Sequence, residues 1–248
     1  MGTAGSPRET WGVLGGMGPL ASVEFVKTIY EFASAGQAEQ QMPVVFLLSD
    51  PTFPDRTAQI LDGDHRKLLN HLADRLEVFH RLEVTNVVIC CITIHYLLAY
   101  LPGSLRGNIV SLLDVIFEAV LRTKQRQLLL CTRGTQQAGL FQAHPLWPEA
   151  KRFLVLPDDH DQDQIHRMIY EIKRGMIVES HCALLRDLMS KYGLDSFIAG
   201  CTEIHVLSRT VAFEEHKEQL RCIDPLSILA SRIALGADAN ADNLQFVE

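Results

Sequence analysis

The chain is too poor in cysteine to be a disulfide scaffold. It carries six in 248 residues and no Cys-x-x-Cys pair, far sparser than a disulfide-stapled secreted domain. No apolar run approaches the roughly 18 residues that a membrane-spanning helix requires, so a membrane span is not expected. There is no Lys/Arg-rich stripe: 23 basic side chains face 30 acidic ones, for a net charge of −7. A nucleic-acid partner is excluded on that count, because nothing is placed to offset phosphates. The same acidic field means that an anionic ligand needs a local basic pocket. The opening MGTAGSPRET lacks a basic stretch followed by an apolar one, so it is not a secretory leader. It fits the myristoylation pattern Met-Gly-x-x-x-Ser only loosely and reads as a disordered end. Without a leader, a reducing cytoplasm is the expected compartment and the thiols are expected to be free.

What remains is a chain long enough for one large α/β domain or two small ones. Short β-branched runs (11–14, 43–48, 86–90, 107–111, 127–131, 153–156 and 196–199) alternate with longer segments of helical period. In 65–82 the residues Leu68, Leu69, Leu72, Leu76 and Phe79 share one helical face. In 163–175 the same pattern stops at Gly175, a residue suited to closing a helix. Such alternation predicts parallel sheets flanked by helices.

The pattern also repeats on a larger scale. VVICCITIHYLL (87–98) and FIAGCTEIHVL (197–207) each place Cys-x-x-Ile-His after a buried-looking strand, at Cys91 and Cys201. VLGGMGP (13–19) and LCTRGTQQ (130–137) each follow an early strand of their half. The expected architecture is therefore two similar Rossmann-like α/β units related by a pseudo-twofold axis. Residues 1–107 with 211–248 form the first and 108–210 the second, with 224–235 a helix returning to the first. The four loops lie beyond the carboxyl ends of strands, where open α/β sheets bind ligands, so the site is expected in the cleft between the units.

Cys91 and Cys201 stand where a strand gives way to a helix, a position that favours thiolate. Cys90 points the other way along its strand, and Cys90, Cys131, Cys182 and Cys222 are assigned to packing. Two matched thiols suit three chemistries. A zinc site could use Cys91, His95, Cys201 and His205, although zinc motifs usually bring their ligands much closer in sequence. A disulfide is disfavoured by the compartment. The third is acid/base work on one carbon: one thiolate removes a proton from one face, and the other thiol returns one to the opposite face, inverting the stereocentre. Near-attack distances would then set the sulfurs roughly 7 Å apart. GMGPLA (16–21) fits a dinucleotide fingerprint, but the next strand ends near Asp50, about 30 residues past Gly18, where the acidic ribose partner is expected at about 20. A close backbone approach to a small ligand at Gly16, Met17 and Gly18 is the plainer reading.

Several ordered motifs resemble the cofactor-independent aspartate/glutamate racemase superfamily, its aspartate racemase branch in particular: GVLGGMGPLAS, PDRT (54–57), CITIH (91–95), TRGT (132–135), IKRG (172–175) and AGCTEI (199–204). The resemblance covers most of the chain and is similar to the aspartate racemases of cyanobacterial peptide-synthetase clusters. It implies an isomerase without pyridoxal phosphate, metal or other cofactor, acting on a small-molecule substrate, aspartate or an analogue, and forming a homodimer. It implies Cys91 and Cys201 as catalytic acid and base. It implies Arg56 and Lys173 as the clamp on the distal carboxylate, where an Arg grips in bidentate fashion. His95, Glu203 and His205 are read as supporting residues. One position departs from the pattern: Ile92 stands where the family has an Asn that contacts the substrate. Its loss leaves the α-carboxylate to backbone N–H groups and to Thr93, Thr132, Thr135 and Thr202. A glutamate or broader racemase, or a dicarboxylate-binding protein without turnover, stays open beside the aspartate reading.

Overall fold

The structure is a computed structural model that describes residues 9–34, 36–210 and 220–235. The N-terminal stretch bearing the myristoylation pattern, and much of 211–248, lie outside the described residues. Strands β1 (Thr10–Gly15), β2 (Val44–Ser49), β3 (Asn86–Ile89) and β4 (Ile109–Val110) form one parallel sheet in the order β2-β1-β3-β4. Strands β5 (Gln127–Leu130), β6 (Leu154–Val155), β7 (Ser196–Ala199) and β8 (Arg221–Ile223) form a second in the order β6-β5-β7-β8. The two orders are the same pattern written twice, as the duplicated motifs predict. β5 and β7 are buried along their whole length. Strands covered on both faces are largely apolar, which is why, after buried Gln127 and Ser196, the runs LLL and FIA carry no alternation.

The helices are α1 (Pro19–Ser34), α2 (Arg56–Leu61), α3 (Arg66–Arg81), α4 (Gly103–Arg106), α5 (Leu112–Thr123), α6 (Arg133–Gln137), α7 (Trp147–Ala150), α8 (Asp159–Lys173), α9 (Glu179–Tyr192), α10 (Thr202–Thr210) and α11 (Pro225–Leu235). Leu68, Leu72, Leu76 and Phe79 of α3 are buried as its period predicts, with Leu69 at the margin. Gly175, just past α8, takes φ +79°, a conformation open to glycine at little cost.

The pairing of strands differs from the division expected at residue 107. β4 lies beyond that boundary yet pairs with β3, and β8 pairs with β7 in the second sheet. Each fourth strand thus ends its own sheet, and the helix after it crosses over: α11 packs on α1, and α5 packs on α7, α11 and β8. RCI is short and follows a polar stretch, so pattern alone does not mark β8. The exchange of helices ties the two units together. One apolar cluster joins Val13, Phe25, Val88, Cys90 and Ile92 of the first to Phe117, Leu129, Cys131, Ile198 and Ile223. The loops at the carboxyl ends of both sheets are therefore held against each other by a shared core.

Candidate functional site

The two thiol loops meet. Thr202, next to Cys201, donates its hydroxyl to the carbonyl of Cys90, next to Cys91, at 3.3 Å. Both sulfur-bearing residues are 5 % exposed. Cys201 caps α10, its carbonyl accepting from Ile204 N at 3.1 Å, and its Sγ donates to Glu203 Oε2 at 2.8 Å. A helix start should favour thiolate, as the sequence suggested, but here other forces win. Burial first, and then the neighbouring Glu203 charge, push the Cys201 thiol well above its ordinary value, with Cys91 adding to the effect and Lys173 opposing it. Cys201 therefore rests as a thiol. Cys91 is followed by a 3₁₀ segment, Thr93–Tyr100, rather than an α-helix. Cys90, Cys131, Cys182 and Cys222 all have thiols raised by burial, Cys131 to about 12.

The cations converge on the same place. Arg56 begins α2 and is 8 % exposed. Two of its nitrogens are pinned, Nη2 to Met17 O at 2.5 Å and Nη1 to Pro54 O at 3.2 Å. Burial works against its charge, but Cys91, then Asp55, Glu203 and Tyr170, outweigh it and raise its affinity for the proton. Lys173 closes α8 with Nζ over the Tyr170 ring at 4.6 Å. Burial opposes its charge too, and Glu203 followed by Cys201 more than restores it. A buried Arg56 and a partly buried Lys173, each feeling a thiol, make a local basic pocket of the kind an anion requires.

Three hydroxyls from both units form a buried triangle: Thr93 to Thr135 at 2.9 Å, Thr132 to Thr135 at 3.1 Å and Thr93 to Thr132 at 3.2 Å. A hydroxyl offers one proton, so a carboxylate gains these donors by opening the ring. The glycine loop is built by protein contacts. Gly16 has φ +93°, and a Cβ there would lie 2.2 Å from the backbone of Asp50. A Cβ on Gly18 would lie 2.8 Å from Glu203 Oε1. The glycines expected to approach a ligand thus approach Asp50 and Glu203, and Met17 acts through the carbonyl that holds Arg56. Ile92 is 1 % exposed within the shared core, so the family's amide has no polar replacement at that position.

The histidine nitrogens hydrogen-bond groups other than the sulfurs. His95 Nδ1 sits 2.9 Å from Cys91 O, and Nε2 accepts from Leu112 N at 3.2 Å. Nδ1 therefore carries the proton, and burial pulls the ring down to about 4, so it is neutral. His205 Nδ1 lies 2.6 Å from Asp224 Oδ2, and Nε2 lies 3.2 Å from Thr28 Oγ1, whose own proton goes to Glu24 O at 2.8 Å. Both its ring nitrogens are engaged. With every imidazole nitrogen engaged, the four-ligand zinc arrangement is not assembled, and no group of three possible metal ligands occurs among the described residues.

Four further residues matter that the sequence did not single out. Asp55 caps α2, accepting from Ala58 N at 2.8 Å, and takes the Tyr170 hydroxyl at 2.7 Å, bridging α2 to α8. Thr57 packs against Gly134, whose Cβ would fall 2.7 Å from Thr57 Oγ1. Asp224 holds His205. The available signals were the PDRT motif, which contains Asp55 and Thr57, and spacing: Tyr170 precedes Lys173 by three residues, one turn along the same helix face.

The fold and this junction define a two-unit α/β protein with its polar residues gathered between the units, and the comparisons name the class. A model of the Asp/Glu/Hydantoin racemase family matches residues 14–233, and the chain belongs to that family. It is similar in structure to the aspartate racemase of Picrophilus torridus, with a TM-score of 0.74 and 21 % identity over 91 % of this chain and 92 % of that one. It is also similar to an aspartate racemase homologue from Pyrococcus horikoshii (TM-score 0.63, 18 % identity, 92 % and 100 % covered). A glutamate racemase from Campylobacter jejuni is more distant (TM-score 0.56, 17 % identity, 91 % and 83 % covered). No described helix is long and apolar enough to cross a membrane.

Proposed function

We propose that the protein is a cofactor-independent aspartate racemase in which Cys91 and Cys201 work on opposite faces of Cα. The observation that carries this is the meeting of the two thiol loops beside Arg56 and Lys173, with Cys201 held as a thiol by burial and by Glu203. Cys91, whose charge is felt by Arg56, is assigned as the base toward one enantiomer. It takes the α-proton and leaves a carbanion whose charge spreads into the α-carboxylate. Cys201 gives its S–H proton to the other face and is left as thiolate, which is the form that acts on the opposite enantiomer. A thiolate is a weak base for such a proton, so the site must exclude water and meet the developing charge with fixed dipoles. The threonine triangle and loop N–H groups suit the α-carboxylate, and Arg56 with Lys173 suits the β-carboxylate. Resemblance supports a cytoplasmic homodimer that supplies a D-aspartate-type building block.

The test is α-proton exchange of L-aspartate in D₂O with no added cofactor, followed by NMR and optical rotation. Exchange and racemisation are expected for the wild type and absent from Cys91→Ala/Cys201→Ala. Exchange that persists in the double variant excludes the two-thiol mechanism. Burial of Ile92 favours a second reading, a dicarboxylate-binding protein without turnover; calorimetric binding of aspartate with no exchange would establish it. Faster exchange of glutamate than aspartate would move the specificity within the family.

A further inference from the structure

We infer that Glu203 is the receptor for the substrate's α-ammonium group, and that it confines the site to free amino acids. This rests on the proposed amino-acid racemase reading and deepens it. Glu203 is 2 % exposed. Its two oxygens differ: Oε2 accepts the Cys201 thiol at 2.8 Å, while Oε1 is buried and has no hydrogen-bond partner. Among the described residues it is the only buried carboxylate oxygen in that condition. A buried charged acceptor without a donor is strongly unfavourable, so a complement is called for.

The protein's own cations do not supply it. Arg56 directs two nitrogens to carbonyls, and Lys173 lies over Tyr170; neither hydrogen-bonds Glu203, although both feel its charge. Asp55, the other acid near Arg56, is occupied by Ala58 N and the Tyr170 hydroxyl. Oε1 packs over Gly18, so closely that a Cβ there would stand 2.8 Å away, and only a glycine leaves Glu203 room in this position.

The charges of an α-amino dicarboxylate then sort themselves. Its two carboxylates have Arg56, Lys173 and the threonine hydroxyls; its one cation has Glu203 Oε1. A single carboxylate would hold the Cys201 thiol by one oxygen and the ammonium by the other. The ammonium is bonded to Cα, so this sets Cα beside the sulfur that must protonate it. A 2-hydroxy acid offers the same carboxylates but only a neutral O–H to Oε1. Charge-assisted bonds are about twice as strong as neutral ones, so the site is expected to discriminate strongly between the two.

The experiment is calorimetric titration of wild type and Glu203→Gln with racemic aspartate and racemic malate, racemic so that turnover leaves the titrant unchanged. The wild type is expected to prefer aspartate by tenfold or more, because a hydrogen bond between charged groups outweighs one to a neutral O–H. Glu203→Gln is expected to shrink that preference at least tenfold while malate binding is retained. A merely structural loss would weaken both ligands together and leave the ratio alone, which overturns the inference. Wild type binding malate as tightly as aspartate overturns it too, and this arm stands even if the variant fails to fold. α-Proton exchange is followed on the same wild-type sample. Exchange with an unmoved ratio sinks the Glu203 assignment alone, whereas neither binding nor exchange of aspartate sinks the racemase reading with it.

Discussion

Replacing His95 should remove a specific part of the protein's acid sensitivity. The ring is buried, its Nδ1 proton goes to Cys91 O and its Nε2 lone pair is filled by Leu112 N–H. A second proton has nowhere to go without breaking the latter bond, and burial lowers the ring from 6.5 to about 4. A group depressed on folding leaves the unfolded chain as the better proton binder below its ordinary value. Stability is therefore complete above pH 6.5 and is lost as the pH falls toward 4. A tenfold difference in proton affinity between the folded and unfolded chain is worth about 1.4 kcal/mol, so the full loss is about 3 kcal/mol, of which about 2 kcal/mol falls between about pH 7 and pH 5. Urea unfolding of wild type and His95→Gln, followed by circular dichroism at several pH values across that range, reads this out. The variant should be less stable at neutral pH, because it loses the two bonds, yet its stability should decline less on acidification by about 2 kcal/mol. Every other group is common to both proteins and cancels in the difference. Parallel curves would refute the account, and with it the assignment of His95 as a neutral brace between the Cys91 loop and α5 rather than a proton carrier.

Two further outcomes follow from the same geometry. Gly134→Ala places a Cβ 2.8 Å from Thr57 Cα, a clash that side-chain rotation does not relieve; α2 must shift and carry Arg56 with it. Steady-state kinetics should then show KM for aspartate rising about tenfold or more with the fold retained, in line with the loss that misplacement by about 1 Å brings; unchanged kinetics would detach α2–α6 packing from the site. Asp224→Asn leaves the buried His205 without its anion. Removal of one partner of such a pair costs about 3–5 kcal/mol, measured by urea unfolding at neutral pH. A loss under about 1 kcal/mol would mean that the pair is not ionic.

Much of the architecture was legible because its causes are local. β5 and β7 announce themselves as unbroken apolar runs, α3 by its leucine spacing, and the end of α8 by Gly175. The paired Cys-x-x-Ile-His segments disclosed the duplication. Other features were hidden because their causes are distant in sequence. Three residues of β8 carry too little pattern, and their pairing depends on β7 being there to receive them. The glycines of the first loop looked like a ligand cradle, but what forbids side chains there is the Asp50 backbone and Glu203, more than thirty and about 185 residues away respectively.

The chain by itself determined which chemistry is available: two thiols in matching contexts, motifs whose resemblance to a known family marks Arg56 and Lys173, and periods that build two sheets. Only the tertiary structure decided how those groups differ. Cys91 and Cys201 occupy the same words of a repeated sentence, yet one faces a guanidinium and the other a carboxylate. His95 and His205 are likewise equivalent in sequence, but one is a neutral brace and the other is paired with an acid. The reason is physical. Sequence specifies a side chain's intrinsic affinity for a proton, whereas burial and neighbouring charge, which packing alone supplies, set the affinity it has in place.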